Sequence, residues 1–161
     1  MSCQEQINSK YYEIEFHLPE YYQEYDFKSY AKENNINLMF TPIYNSEKFY
    51  KDSKNSCFLS FKQFENQDFE SNAKFDLLIK EKKEVVESES VGKWININES
   101  KKGNLDFALL EYNDTILNSY QAAAYWKLED NMYRVNFYTD KSNKFFIDDF
   151  KKLIKSLKLS N

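Results

Sequence analysis

An α+β domain, with an antiparallel sheet flanked by helices, is the fold class this chain predicts, and three observations predict it. Apolar side chains alternate with polar ones in several short stretches, as at Tyr12, Ile14, Phe16 and Leu18, the two-residue period of a half-buried strand. Near the C-terminus Phe146, Phe150, Leu153, Ile154 and Leu157 instead recur at helical spacing and form one continuous stripe. With 161 residues, 42% apolar and 18% aromatic, the chain has the size and the material for one core.

The 13 tyrosines and 14 phenylalanines bury large areas, which argues against disorder even with 30% charged residues. Gly92, Gly103, Pro19 and Pro42 are the sole glycines and prolines, and no Pro/Gly/Ser-rich linker or internal repeat divides the chain. Residues 1–10 are polar and read as a flexible tether, and residues 11–161 as a single domain.

The elements follow in order. The strand over residues 12–18 ends at Pro19, which has no N–H for a ladder. Asp26 caps a short helix over residues 27–34. Ile36, Leu38 and Phe40 predict a strand stopped by Pro42, and residues 44–55 are polar enough to predict a loop. Cys57, Leu59 and Phe61 share one face of another strand. A helix is expected over residues 69–85, with Phe69, Ala73 and Leu77 at four-residue steps and Lys80, Lys82 and Lys83 at its C-terminal end, where cations suit the helix dipole. Residues 94–97 predict a strand, and Lys101 to Asn104 a turn into Leu105, Phe107 and Leu109. Residues 120–128 and 132–139 form a hairpin across Glu129-Asp130-Asn131, since Asp and Asn tolerate a left-handed backbone. Ser142 or Asn143 caps the last helix, which has Asp148 and Asp149 early and Lys151, Lys152 and Lys155 late.

Composition narrows function mainly by exclusion. Net charge is −4 and Arg134 is the single arginine, which does not suit phosphate-backbone binding. No stretch approaches the roughly 20 apolar residues that a helix needs to span a bilayer. His17 shares a strand face with Glu13 and Glu15 and reads as solvated. No Gly-flanked serine elbow, paired C-x-x-C, H-E-x-x-H, EF-hand loop or Gly-rich phosphate cradle is present. No catalytic residue, metal ligand or cofactor is therefore assigned. Cys57, in a strand-like run, reads as a buried thiol acting as a small hydrophobe.

A contact surface is the more legible feature. Glu20 to Asp26 sets three tyrosines among three acids, and tyrosine is favoured at interfaces. Tyr21, Tyr22, Glu24 and Tyr25, with Trp126 on the hairpin, are the candidate partner surface. The competing reading is that these rings cover the end of the sheet.

The opening Tyr12-x-Ile14-x-Phe16-x-Leu18-Pro19 resembles that of the PsbP/Mog1/DcrB-like superfamily. So does the ending, an aromatic strand over residues 133–139 followed by a helix running into Lys155-Ser156-Leu157-Lys158-Leu159 and a short strand. The resemblance implies an α/β/α sandwich around an antiparallel sheet, the C-terminal amphipathic helix packed on it, and binding or assembly in place of catalysis. Ser2-Cys3-Gln4 looks like the mature start of a bacterial lipoprotein, with Cys3 carrying the lipid and residues 4–10 as tether.

The expected function is thus a non-enzymatic protein-binding domain of a cell-envelope lipoprotein, in the periplasm or at the outer membrane and touching the membrane only through the lipid. If Cys3 is incidental, the protein is cytoplasmic. The alternatives are an immunity protein that neutralises a secreted antibacterial toxin and an effector chaperone of a secretion system.

Overall fold

The computed structural model describes residues 14–15, 18–33, 35, 47–52, 54–64, 72–88, 92–102, 105–128, 131–156 and 158–159. The elements in chain order are β1 (Ile14–Glu15), β2 (Gln23–Tyr25), α1 (Phe27–Glu33), β3 (Glu47–Asp52), β4 (Cys57–Phe64), α2 (Asn72–Ser88), β5 (Gly92–Lys102), β6 (Leu105–Asp114), β7 (Ser119–Leu128), β8 (Asn131–Asp140), α3 (Lys144–Ser156) and β9 (Lys158–Leu159). Seven strands form one antiparallel sheet in the order β2-β3-β4-β8-β7-β6-β5, and β1 pairs with β9 beside it.

Local chemistry fixes the turns. Asp26 Oδ2 accepts the Ser29 amide at 3.2 Å and caps α1. The β6–β7 hairpin turns over four residues, with Asn118 in the left-handed region at φ 52°, where Asn is tolerated. Asp114 Oδ1 accepts the Ile116 and Leu117 amides, both at 2.8 Å, and holds that turn.

Side-chain alternation then builds two cores. On one face Leu59 and Phe61 of β4, Ala122, Ala124 and Trp126 of β7, and Tyr133, Val135 and Phe137 of β8 pack against Phe146, Phe150, Leu153 and Ile154 of α3. Phe150 stacks on Phe137 with centroids 4.5 Å apart and an interplanar angle of 8°. On the other face Phe75 and Ile79 of α2 pack with Ala108, Leu110, Ala123, Tyr125 and Met132. The architecture is an α/β/α sandwich with the C-terminal amphipathic helix on the sheet.

Three expectations need correction. Residues 47–52 form β3, not part of a loop. Their polarity hides a strand because Glu47 and Asp52 are buried in bonds. Ser60 Oγ donates to Glu47 at 2.7 Å, and the Lys54 amide donates to Asp52 at 3.0 Å. The helix α2 buries Phe75, Ile79 and Val86, whereas Leu77 is 51% exposed. It also runs on to Ser88, so Lys80, Lys82 and Lys83 sit in mid-helix and its last turn holds no basic residue. Finally, β5 extends well beyond residues 94–97, as an edge strand whose Asn98, Glu99 and Lys101 are exposed. The strand expected at residues 36–40, His17, Cys3 and the tether at residues 1–10 lie outside the described residues.

Gly92 marks where α2 returns to the sheet. A Cβ there would lie 2.6 Å from Tyr112 Cδ2 and 2.8 Å from Val86 Cγ1, so the close approach of helix and strand requires glycine. Gly92→Ala should cost about 1–3 kcal/mol, and Phe150→Ala about 3–5 kcal/mol, while Leu77→Ala should stay within about 0.5 kcal/mol. Urea denaturation of the three variants checks the order.

Candidate functional site

The residues singled out in the sequence do not converge on one surface. Tyr22 is buried, with its hydroxyl 3.2 Å from Cys57 Sγ. Tyr21 is half-buried, donates its hydroxyl to Asp149 and sets its ring edge-on to Phe146 at 5.1 Å. Trp126 is buried against Phe107, with centroids 5.5 Å apart, and offers no area to a partner. Glu24 is exposed on the edge strand β2. Tyr25 belongs to the other face, where Lys51 Nζ sits 3.8 Å from its ring centroid.

Burial dominates the acid–base behaviour of this cluster. It raises the Tyr21 and Tyr22 phenols beyond the usual range, helped by Asp149 in one case and by Cys57 in the other. It also pushes the Cys57 thiol up to about 11, although hydrogen bonds from Tyr22 and Thr139 act against it.

One end of the sheet exposes three large apolar side chains among polar ones. The β6–β7 turn, the β3–β4 turn and the start of α3 all lie at the end where β8 finishes. Asn143 Nδ2 donates to the Asn55 carbonyl at 2.9 Å and ties two of them together. This end carries Ile116, Leu117 and Phe145, which are 71%, 60% and 65% exposed. The Phe145 ring lies 6.3 Å from that of Tyr21. Hydropathy in the sequence did not separate these three from core residues, because exposure depends on the turn and the helix phase.

The second feature is a hollow of about 300 Å³ on the α2 side of the sheet. Cross-strand register explains it. Ser60, Asn136 and Ala123 stand opposite one another on β4, β8 and β7, a row of small side chains. The next row brings Phe58, Tyr138, Gln121 and Tyr112 side by side, and the row beyond holds Glu47, Lys62, Arg134 and Tyr125. Small residues between two bulky rows leave a floor with walls. Phe49, opposite Ser60, and Tyr25, opposite Phe49, close the low row at one end, and Lys82 reaches in from α2.

Polar groups in the hollow are held in place. Arg134 Nη2 meets Glu47 Oε1 at 3.1 Å, with Ser60 on the same oxygen. Lys82 Nζ donates to the Tyr112 hydroxyl at 3.2 Å, Tyr112 donates to Gln121 Oε1 at 2.8 Å, and Gln121 Nε2 donates to Asp114 Oδ2 at 3.0 Å. Burial, and then the charge of Arg134, lower the Lys82 ammonium. Among the described residues no group of three or more His, Cys, Asp or Glu is placed to hold a metal ion. Sequence reading missed this site because its residues come from β2, β3, β4, β6, β7, β8 and α2 with no local motif; of the candidate surface residues, Tyr25 alone lines it.

The fold has solved counterparts. The chain is similar to cyanobacterial PsbP (CyanoP) from Synechocystis sp. PCC 6803, at a TM-score of 0.61 and 13% identity over 91% of this chain and 86% of that one. It is also similar to the Ran-binding protein Mog1p of Saccharomyces cerevisiae, at a TM-score of 0.47 and 8% identity over 92% of this chain and 90% of that one. The chain matches no protein-family model and no curated protein. The sandwich thus has a PsbP-like fold, in agreement with the resemblance read from its two ends.

Alkaline pH should unfold the domain. Cys57, Tyr21, Tyr22, Tyr112 and Tyr120 bind protons more tightly when folded, chiefly through burial. Their contribution is complete below the unfolded values of 9.0 for the thiol and 10.0 for the phenols, and is lost as pH rises through about 11 at Cys57 and about 12 at Tyr112. Burial raises Tyr125 as well, and Lys82, lowered in the fold, acts with the opposite sign, one group against six. The urea midpoint should stay level from about pH 7 to pH 8.5 and decline above about pH 9.5.

Proposed function

We propose that this chain is a non-enzymatic protein-binding domain that docks its partner at the sheet end carrying Ile116, Leu117 and Phe145. The observation that carries the reading is the exposure of these three large side chains at one end of the fold, each at 60% or more. Scattered exposed apolar residues are ordinary, but three large ones at one end of the fold, with Phe145 beside the half-buried Tyr21, suit an interaction site. Exposed Lys54, Lys141 and Lys144 lie at the same end. An apolar partner segment flanked by carboxylates therefore fits it.

In this reading Cys3 carries a lipid and residues 4–10 tether the domain to a cell envelope, in the periplasm or at the outer membrane. The Ser2-Cys3 pair supports the anchor. Cys3→Ser should then move the protein from the membrane fraction to the soluble one, and unchanged fractionation would remove the anchor from the account. Partner identity separates a toxin, which makes the protein an immunity factor, from a secretion effector, which makes it a chaperone.

A photo-crosslinking residue at position 116 should trap a discrete partner in native cells, and the same residue at exposed Glu84 should not. Phe145→Asp should abolish that adduct and leave the melting temperature within a few degrees of the parent, as for exposed substitutions. Identical adducts from positions 116 and 84 would contradict the docking surface.

A further inference from the structure

The hollow on the α2 side plays no part in that docking surface, and its construction is that of a receptor. We propose that it binds a small organic carboxylate with a flat apolar body.

Size and shape set the first limit. A volume of about 300 Å³ lies at the lower end for small-molecule sites. Its floor is the low row Ser60, Asn136 and Ala123, and the rings of Phe58 and Tyr138, 5.8 Å apart, stand beside it. Such walls favour a planar apolar group, which can stack or meet ring edges.

Charge sets the second. Of the ionised lining residues, Arg134 and Glu47 neutralise each other at 3.1 Å. Lys82 remains, and among the described residues it meets no carboxylate within ion-pairing distance, its hydrogen-bond partner being the neutral Tyr112 hydroxyl. An ammonium has three donors, so two are left for a ligand. A half-buried cation with no carboxylate partner is costly, and a carboxylate in the hollow supplies that charge with a charge-assisted hydrogen bond. The excess of one positive charge matches a monoanion; a phosphate dianion would overshoot it beside Glu47. The receptor is also preorganised. Tyr112 donates to Gln121 and Gln121 to Asp114, so the Tyr112 oxygen presents a lone pair to Lys82 and holds the ammonium in place.

The test is a titration of the ¹⁵N-labelled full chain with indole-3-acetate and, separately, with the neutral indole-3-acetamide. The proposal expects saturable shifts at the Ser60, Ala123 and Asn136 amides, with the acid binding about tenfold or more tighter than the amide. Lys82→Met should remove that preference while leaving the urea midpoint at or above the parent value. Ala123→Leu, which fills the floor, should abolish binding of both probes. Equal binding of acid and amide, saturable shifts confined to other residues, or no saturation by about 10 mM would overturn the proposal.

Discussion

Phe150 of α3 lies flat on Phe137 of β8, and the placement of the other layers depends on that seam. The strand β8 is paired on both sides, with β4 and with β7, so its inner face is the middle of the sheet. Three residues separate it from α3, which must fold straight back over that face. Phe146, Leu153 and Ile154 then close the cover, and Tyr21 reaches Asp149 to fasten its edge. The helix α2 packs over Ala108, Leu110, Ala123 and Tyr125, residues of β6 and β7. The surface over β3, β4 and β8 beside it is where the hollow opens.

Buried charge in this domain is largely structural. Glu111, beneath α3, receives the Tyr120 hydroxyl, Asn96 Nδ2 at 2.7 Å and Lys151 Nζ at 3.4 Å. Glu47 receives Ser60 and Arg134. Asp52 and Asp114 hold turn amides. Each carboxylate gains the hydrogen bonds without which burial would be prohibitive. Lys82 departs from this pattern, since a neutral hydroxyl is the one partner it has among the described residues. The hydrogen-bonded chain that begins at Lys82 ends at Asp114, whose other oxygen holds the Ile116 and Leu117 amides. The hollow and the apolar end are thus neighbours in one polar network.

Sequence reading reached the fold wherever one face of an element was apolar. The stripe of α3 and the alternation of β4 and β8 were legible because burial there is carried by hydrophobic side chains with a clear period, and β7 was legible as the other arm of a hairpin. Strand β3 was not, because two of its buried groups, Glu47 and Asp52, are acids, and the partners of Glu47, Ser60 and Arg134, are distant in sequence. The rotation of α2 was misjudged because Phe75 and Ile79, and also Leu77, lie in a run where helical phase is ambiguous. The tyrosine cluster at residues 21–25 mixes both faces of the sheet, so its members parted company once β2 was placed. The hollow was invisible, as it depends on which small residues stand opposite one another across three strands.

The layered core requires α3 to be locked to the sheet as one cooperative body with β8. Native-state amide hydrogen exchange measures this directly. The amides of α3 from Phe150 to Ile154 should exchange through the same opening free energy as those of β8 from Tyr133 to Phe137, in one global event. Exchange of the α3 amides through a separate, lower-energy opening, with β8 still protected, would show that the helix is a loosely held cover and would contradict the seam as the organising constraint.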